Sequence, residues 1–160
     1  SRIGVITGPL ISPISRDRLA GVRGAAGRRR GTRDMVIATG DFTIEAGAEH
    51  GGLLLDRPDR PTAIFCFSDE MAIGALHIAK ERGLAVPEDI AIAGFDDIRF
   101  CEYLNPPLTT INQPAVEIGR ETVRLLLTIL RGEASGPSSV TLPHKLTIRE
   151  STVRVVDRAG

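Results

Sequence analysis

Aromatic side chains are scarce in this chain: 4% of 160 residues, with one tyrosine and no tryptophan. A core must then be filled by Val, Ile, Leu and Ala. At 42% hydrophobic residues there are enough of them for one α/β domain, or one domain with a short extension. Surplus charge of either sign is also lacking. Twenty basic residues balance twenty acidic ones, whereas a free-standing nucleic-acid binder carries a basic excess to neutralise phosphates. Cysteine is limited to Cys66 and Cys101, whose separation fits neither a metal site nor a redox pair and suits a reducing compartment. Cys66, within Ala63-Ile64-Phe65-Cys66-Phe67, reads as a small buried hydrophobe. There is no secretory leader and no run of about eighteen apolar residues, so a cytoplasmic location without membrane contact is expected.

Catalytic signatures are missing too. The sequence holds no G-x-S-x-G, no phosphate loop and no G-x-G-x-x-G. His50, His77 and His144 lie far apart, without the close spacing of metal ligands, and a surface position is the default for each. The expectation is a chain with no catalytic residues, no metal and no cofactor.

What is present is an alternation of strand and helix signals. Ile3-Gly4-Val5-Ile6, Met35-Val36-Ile37-Ala38, Ala63 to Phe67 and Ile90-Ala91-Ile92-Ala93 are continuous apolar runs, as in strands buried on both faces of a parallel sheet. Between the first two, Ser15 is placed to cap a helix over 16–29, with Leu19, Val22, Ala25 and Ala26 as its apolar stripe. Thr43 caps the next helix, with Glu45 in its first turn. Ser68 precedes Asp69 and Glu70 at the head of a helix running to Arg82, which Gly83 and Pro87 terminate. Thr109-Thr110-Ile111 is a short β segment. These repeated units specify a doubly wound parallel α/β sheet flanked by helices, with right-handed crossovers.

Beyond residue 113 the pattern changes. Pro114 to Leu130 reads as a helix with a wide apolar arc that needs much covering. Arg131 to Ser139 is a loop, and Val140-Thr141-Leu142 and Leu146-Thr147-Ile148 alternate as short strands.

Ligands of open α/β sheets bind outside the carboxyl ends of the strands, which here carry Thr7-Gly8-Pro9, Asp41-Phe42, Ser68-Asp69 and Asp96-Asp97. That set suits hydroxyl groups, with Phe42 free to stack on a ring face and Arg18 within reach of the rim. The same residues would serve as ordinary caps and turns. Asp96 and Asp97 are neighbours on an extended segment and point to opposite faces, so hydrogen bonding or capping suits them better than paired acid–base work. Arg28-Arg29-Arg30 with Arg33 falls at a helix C-terminus, where the dipole favours cations, and reads as a solvated cap.

Four stretches taken in order resemble the lactose/galactose-repressor family of transcriptional regulators. They are Phe67-Ser68-Asp69-Glu70-Met71-Ala72-Ile73-Gly74-Ala75, Arg82 to Ile90, Gly94-Phe95-Asp96-Asp97 and Pro107-Leu108-Thr109-Thr110-Ile111-Asn112-Gln113-Pro114. Arg2 to Ile6, Arg18-Leu19-Ala20-Gly21 and Gly40-Asp41-Phe42 extend the likeness, which fades after Val153.

The resemblance implies a two-lobed, periplasmic-binding-protein-like core that binds a small effector between its lobes and follows a helix-turn-helix head. It identifies this chain as the C-terminal lobe, without the head and nearly all of the N-terminal lobe. Residues 1–113 then form the C-terminal lobe, 114–142 a helix and strand that pack on the N-terminal lobe in relatives, and 143–160 a return strand and tail. By the same match Arg18, Phe42, Ser68, Asp96 and Gln113 are ligand contacts, and Ile73 and Tyr103 face a partner subunit. Simple core packing is an alternative for Ile73. The implied partners are a sugar, nucleoside or purine effector, a second copy of the chain, and operator DNA only through the missing head. The segment Ile11 to Ser15 departs from the family pattern and leaves the effector open. A transport protein for sugars and a small-sugar enzyme are the rival readings. Without the other lobe, the helix over 114–130 is expected to dock on a neighbouring molecule, exchange with it, or be poorly ordered.

Overall fold

The computed structural model describes residues 2–28, 35–133, 136 and 139–153. The four apolar runs become parallel strands β1 (Ile3–Thr7), β2 (Met35–Thr39), β3 (Ala63–Cys66) and β4 (Ala91–Ala93), in the spatial order β2-β1-β3-β4. Val5 of β1 stands level with Ile37 and Phe65, so the sheet's centre is apolar from strand to strand. Val5, Ile6, Ile64, Cys66 and Ile92 are all buried, as expected of strands covered on both faces. With right-handed crossovers, this order puts helix α1 (Pro13–Arg28) on one face and α2 (Ile44–Leu55) and α3 (Asp69–Glu81) on the other.

Helix boundaries follow local chemistry. Thr43 Oγ1 accepts from the Ala46 amide at 3.1 Å, and Ser68 Oγ from the Met71 amide at 3.2 Å, so both expected caps are formed. Gly83, with φ of +67°, follows the end of α3. The start of α1 differs from the expectation. Pro13 is its first residue, because a fixed φ and a missing N–H suit that position, and the Ser12 carbonyl accepts from the Arg16 amide at 3.2 Å. Ser15 therefore lies inside the first turn, fully buried, rather than capping. Leu19 and Ala26 are buried, but Ala25 faces solvent. Arg28 ends α1, while Arg29, Arg30 and Arg33 lie outside the described residues.

Helices α2 and α3 pack closely because glycines meet at their crossing. A Cβ added at Gly47 would stand 2.1 Å from the Met71 carbonyl oxygen, and one at Gly74 2.0 Å from that of Ile44. No larger residue permits this approach.

After β4 the chain passes through a 3-10 turn (Arg99–Tyr103) into β5 (Thr110–Asn112), helix α4 (Ala115–Leu130) and β6 (Lys145–Thr147). Strands β5 and β6 pair antiparallel, and parallel bridges from Ala93 to Thr109 and from Asp96 to Asn112 hang this ribbon on the edge of β4. The segment Val140-Thr141-Leu142, expected as a strand, has no ladder partner among the described residues. No residue of α4 is buried, and seven of its large apolar side chains, from Val116 to Leu130, are exposed. No helix among the described residues is long and apolar enough to cross a membrane.

Candidate functional site

In the order β2-β1-β3-β4, the chain leaves β1 toward one neighbour and returns on the other side, so a crevice opens at the carboxyl ends of β1 and β3. Arg18, on α1, reaches into it. Its guanidinium donates to the Phe67 carbonyl just past β3, stands 3.5 Å from Asp96 Oδ1 and lies over the Phe95 ring at 3.6 Å from the centroid. Asp96 also accepts from Gln113 Nε2. Two of the residues singled out from sequence, far apart along the chain, thus converge on the carboxylate of a third.

The electrostatics of this group are those of a half-buried pair. Burial pushes the Asp96 carboxyl above the usual carboxylate range, and Arg18 and Gln113 offset only part of that. Burial likewise lowers the Arg18 guanidinium, with Asp96 pulling the other way. Both directions say that desolvation outweighs the mutual attraction, so each partner is held short of what water would give it. A ligand hydroxyl or ring N–H bonding to Asp96, with a ligand acceptor facing Arg18, would supply what the pair lacks.

Phe42 adopts a φ of +74°, which aims its ring at the β1–α1 loop: a Cβ at Gly8 would fall 2.0 Å from Phe42 Cζ. The aromatic therefore lies over the end of β1. Ser68 is placed differently, being nearly fully buried with its oxygen used as the cap of α3. Thr7, read from sequence as part of the rim, is fully buried, and its hydroxyl and that of Ser15 have no partner among the described residues.

Asp97 turns away from the crevice. Its carboxylate is 2.9 Å from Arg149 Nη1 and accepts from Asn112 Nδ2 at 3.0 Å and Thr147 Oγ1 at 3.2 Å. Burial pushes its carboxyl up, but the bonds from Asn112, Arg149 and Thr147 together hold it below the usual range. Beneath it, fully buried Asp69 accepts from Thr110 Oγ1 at 2.6 Å and from the Ile98 amide at 2.9 Å. Asp69, placed at the rim by the sequence, is thus a buried acceptor, and Phe95 and Arg149 are not among the site residues the sequence suggests. Phe95 stood inside a recognised motif beside Asp96, whereas nothing in the local sequence pairs Arg149 with Asp97, 52 positions earlier in the numbering.

A groove of about 440 Å³ adjoins the crevice between α4 and residues 140–144, lined by Phe95, Gln113, Ile118, Leu125, Leu142 and His144 among others. On another surface, Tyr103 is 70% exposed, as is most of Phe100. Ile73 is half-buried on α3 and stands apart from the apolar cluster that forms the core.

Residues 1–152 match the model of the periplasmic binding protein-like domain. The HTH-type transcriptional repressor CytR of Escherichia coli (strain K12) is 50% identical over 153 residues, covering 94% of this chain and 45% of that protein. The chain belongs to the lactose/galactose-repressor family. Among its other relatives, the ribose operon repressor of Haemophilus influenzae is 36% identical over 151 residues, 94% of this chain and 46% of its own length. The lac repressor dimer bound to operator and an anti-inducer superposes with a TM-score of 0.87 at 33% identity, covering 95% of this chain and 52% of that one. The chain spans about half the length of the family members it matches. The expected parallel, helix-flanked sheet of this family is the fold observed.

Proposed function

We propose that this chain is the effector-binding and dimerisation lobe of a cytoplasmic transcriptional repressor, and that it performs no catalysis. The observation that carries the reading is the convergence of Arg18 and Gln113 on Asp96 in the crevice, with the Phe95 ring under the Arg18 guanidinium, on a chain half as long as repressors of the same family. A carboxylate acceptor, a guanidinium donor and two aromatic rings suit a small polyhydroxylated ligand with a planar or ring face: a sugar, a nucleoside or a purine. Phe42 closes the side over β1, and Ser68 acts through the helix it caps.

Relatives carry the rest of the proposal. In a longer protein, α4, residues 140–142 and the adjoining groove pack against an N-terminal lobe, so that 1–113 and 143–160 form one lobe and 114–142 serves the other. The ligand binds between the two and shifts the population of their arrangements, because its affinity for the closed one is greater. Operator DNA is reached only through a head that precedes this segment. Ile73 and Tyr103, both at the surface and outside the core, face the second subunit.

A thermal-shift screen of the longer protein against sugars, nucleosides and purines tests the reading. A ligand at about 100 times its Kd stabilises by roughly 2.7 kcal/mol. The expected result is a shift with one class that Asp96→Ala abolishes. A shift that survives both Asp96→Ala and Arg18→Ala would refute the assignment of the crevice.

A further inference from the structure

The two aspartates at the end of β4 divide their work. Asp96 and Asp97 both have positive φ, 115° and 57°, and their carboxylates meet different partners. Asp96 faces Arg18 and Gln113. Asp97 faces the ribbon through which the chain leaves for α4 and returns from it, bonding Asn112 of β5 and Thr147 of β6. Arg149, two residues after β6, completes the set: one guanidinium nitrogen lies 2.9 Å from Asp97 and 2.8 Å from the Leu108 carbonyl oxygen. The Asp97 amide donates to Thr110 Oγ1 at 3.3 Å and the Asp96 amide to the Ile111 carbonyl at 2.9 Å. The loop bearing the crevice carboxylate is thereby tied to both chain crossings.

We propose that Asp97, held by Arg149, is a positioning residue that fixes Asp96 against Gln113 and Arg18 and joins it to the β5–β6 ribbon. The joint gives ligand contact at Asp96 a direct connection to the segment leading to α4. The proposal deepens the effector reading above and rests on Asp96 being a ligand contact, but the placement of Asp96 is measurable without any ligand. Two features make Asp97 suited to the task. Its side chain is only 12% exposed, so solvent competes weakly for its bonds. It also joins residues from three separate stretches, 97, 110–112 and 147–149, which the backbone links only through the short β5–β6 pairing and two isolated bridges.

The test uses the full-length protein with Asp97→Asn, Arg149→Met, Arg149→Lys and the Asp97→Asn/Arg149→Met double variant. Amide hydrogen exchange without ligand is the first readout. Asp97→Asn and Arg149→Met should speed exchange of the Asp96 amide about tenfold or more while Ile64 and Ile92 keep wild-type protection, the mark of a local opening. Arg149→Lys, which retains the cation, should restore most of that protection. Uridine, which offers a diol and a planar base, is the binding probe in calorimetry. Asp97→Asn and Arg149→Met should each weaken it about tenfold, and the double variant no further than either of them, because the same joint is lost in each case. Equal exchange gains at Asp96, Ile64 and Ile92 would mean a merely structural role and overturn the proposal. Asp96 exchange within about twofold of wild type in Asp97→Asn would overturn it too. If uridine does not bind the wild-type protein, uridine is excluded as the effector, and the exchange data alone decide the role of Asp97.

Discussion

The uncovered face of α4 yields a prediction with opposite signs in two settings. Leu126 is 52% exposed and Leu130 72% exposed, and the other apolar residues of that face are intermediate between and around these values. Full burial of such a side chain contributes about 1.5–3 kcal/mol, so what each still lacks is worth roughly 1 kcal/mol, and about 7 kcal/mol over the seven-residue face. Now replace Leu126 and Leu130 by Ala, which removes apolar surface without harming helix propensity. In the 160-residue chain alone, urea unfolding should change by no more than about 0.5 kcal/mol, as for ordinary surface substitutions. In the longer protein, where the proposed function has this face meet another lobe, the same pair should cost about 3–4 kcal/mol. Sedimentation velocity and hydrogen exchange complete the assay for the chain alone: either it self-associates as concentration rises, or the α4 amides exchange far faster than those of α3. A monomer in which α4 is protected and the double substitution costs more than about 2 kcal/mol would refute the reasoning, because the face would already be covered from within the chain.

Other consequences are simpler to check. Gly47→Val forces a side chain into the space of the Met71 carbonyl, so α2 and α3 must separate, and a loss of about 1–3 kcal/mol or more is expected in urea unfolding. Asp97, whose carboxyl is held below its ordinary range, contributes stability that is present above the unfolded pKa of about 3.9 and lost as pH falls through the folded one. Asp97→Asn should therefore lower the urea midpoint more at pH 7 than at pH 3, with the loss shrinking as pH falls below the unfolded pKa; an equal loss at both would contradict the sign. Burial pushes the thiols of Cys66 and Cys101 far up, so neither should react with a thiol reagent at pH 8 until the protein is unfolded.

How much of this was legible in the sequence depended on whether the deciding interaction was local. Strand runs such as Ala63 to Phe67 and caps such as Thr43 and Ser68 depend on residues within a few positions of each other, and they form as expected. Ser15 failed as a cap because Pro13, two positions earlier, is a stronger start signal, and a serine preceding a charged helix face looks the same in either place. Val140 to Leu142 has a strand's alternation, but a strand also needs a partner, and none of the described residues provides one. Arg18, Asp96 and Gln113 could be named through the family resemblance. Their meeting is a product of the crossovers, which bring the first turns of α1 to the exits of β3 and β4.

The pair Asp96-Asp97 shows what pattern alone does and does not carry. Alternation along an extended segment suits these two side chains to hydrogen bonding or capping better than to a paired acid–base role, although both residues have positive φ and the backbone there is not an extended strand. They diverge all the same: one carboxylate meets Arg18 and Gln113, the other Arg149, Asn112 and Thr147. Burial pushes each carboxyl up and the charges of Asp69 and Glu70 push Asp96 further, and only Asp97 ends below the usual range. The difference lies also in the partners. Asp97 has three donors satisfied within the chain, while Asp96 shares a guanidinium with a carbonyl and an aromatic ring. Of two adjacent identical residues, the one left under-satisfied at the mouth of a crevice is the one with capacity for a ligand, and the satisfied one is fit to hold it in place.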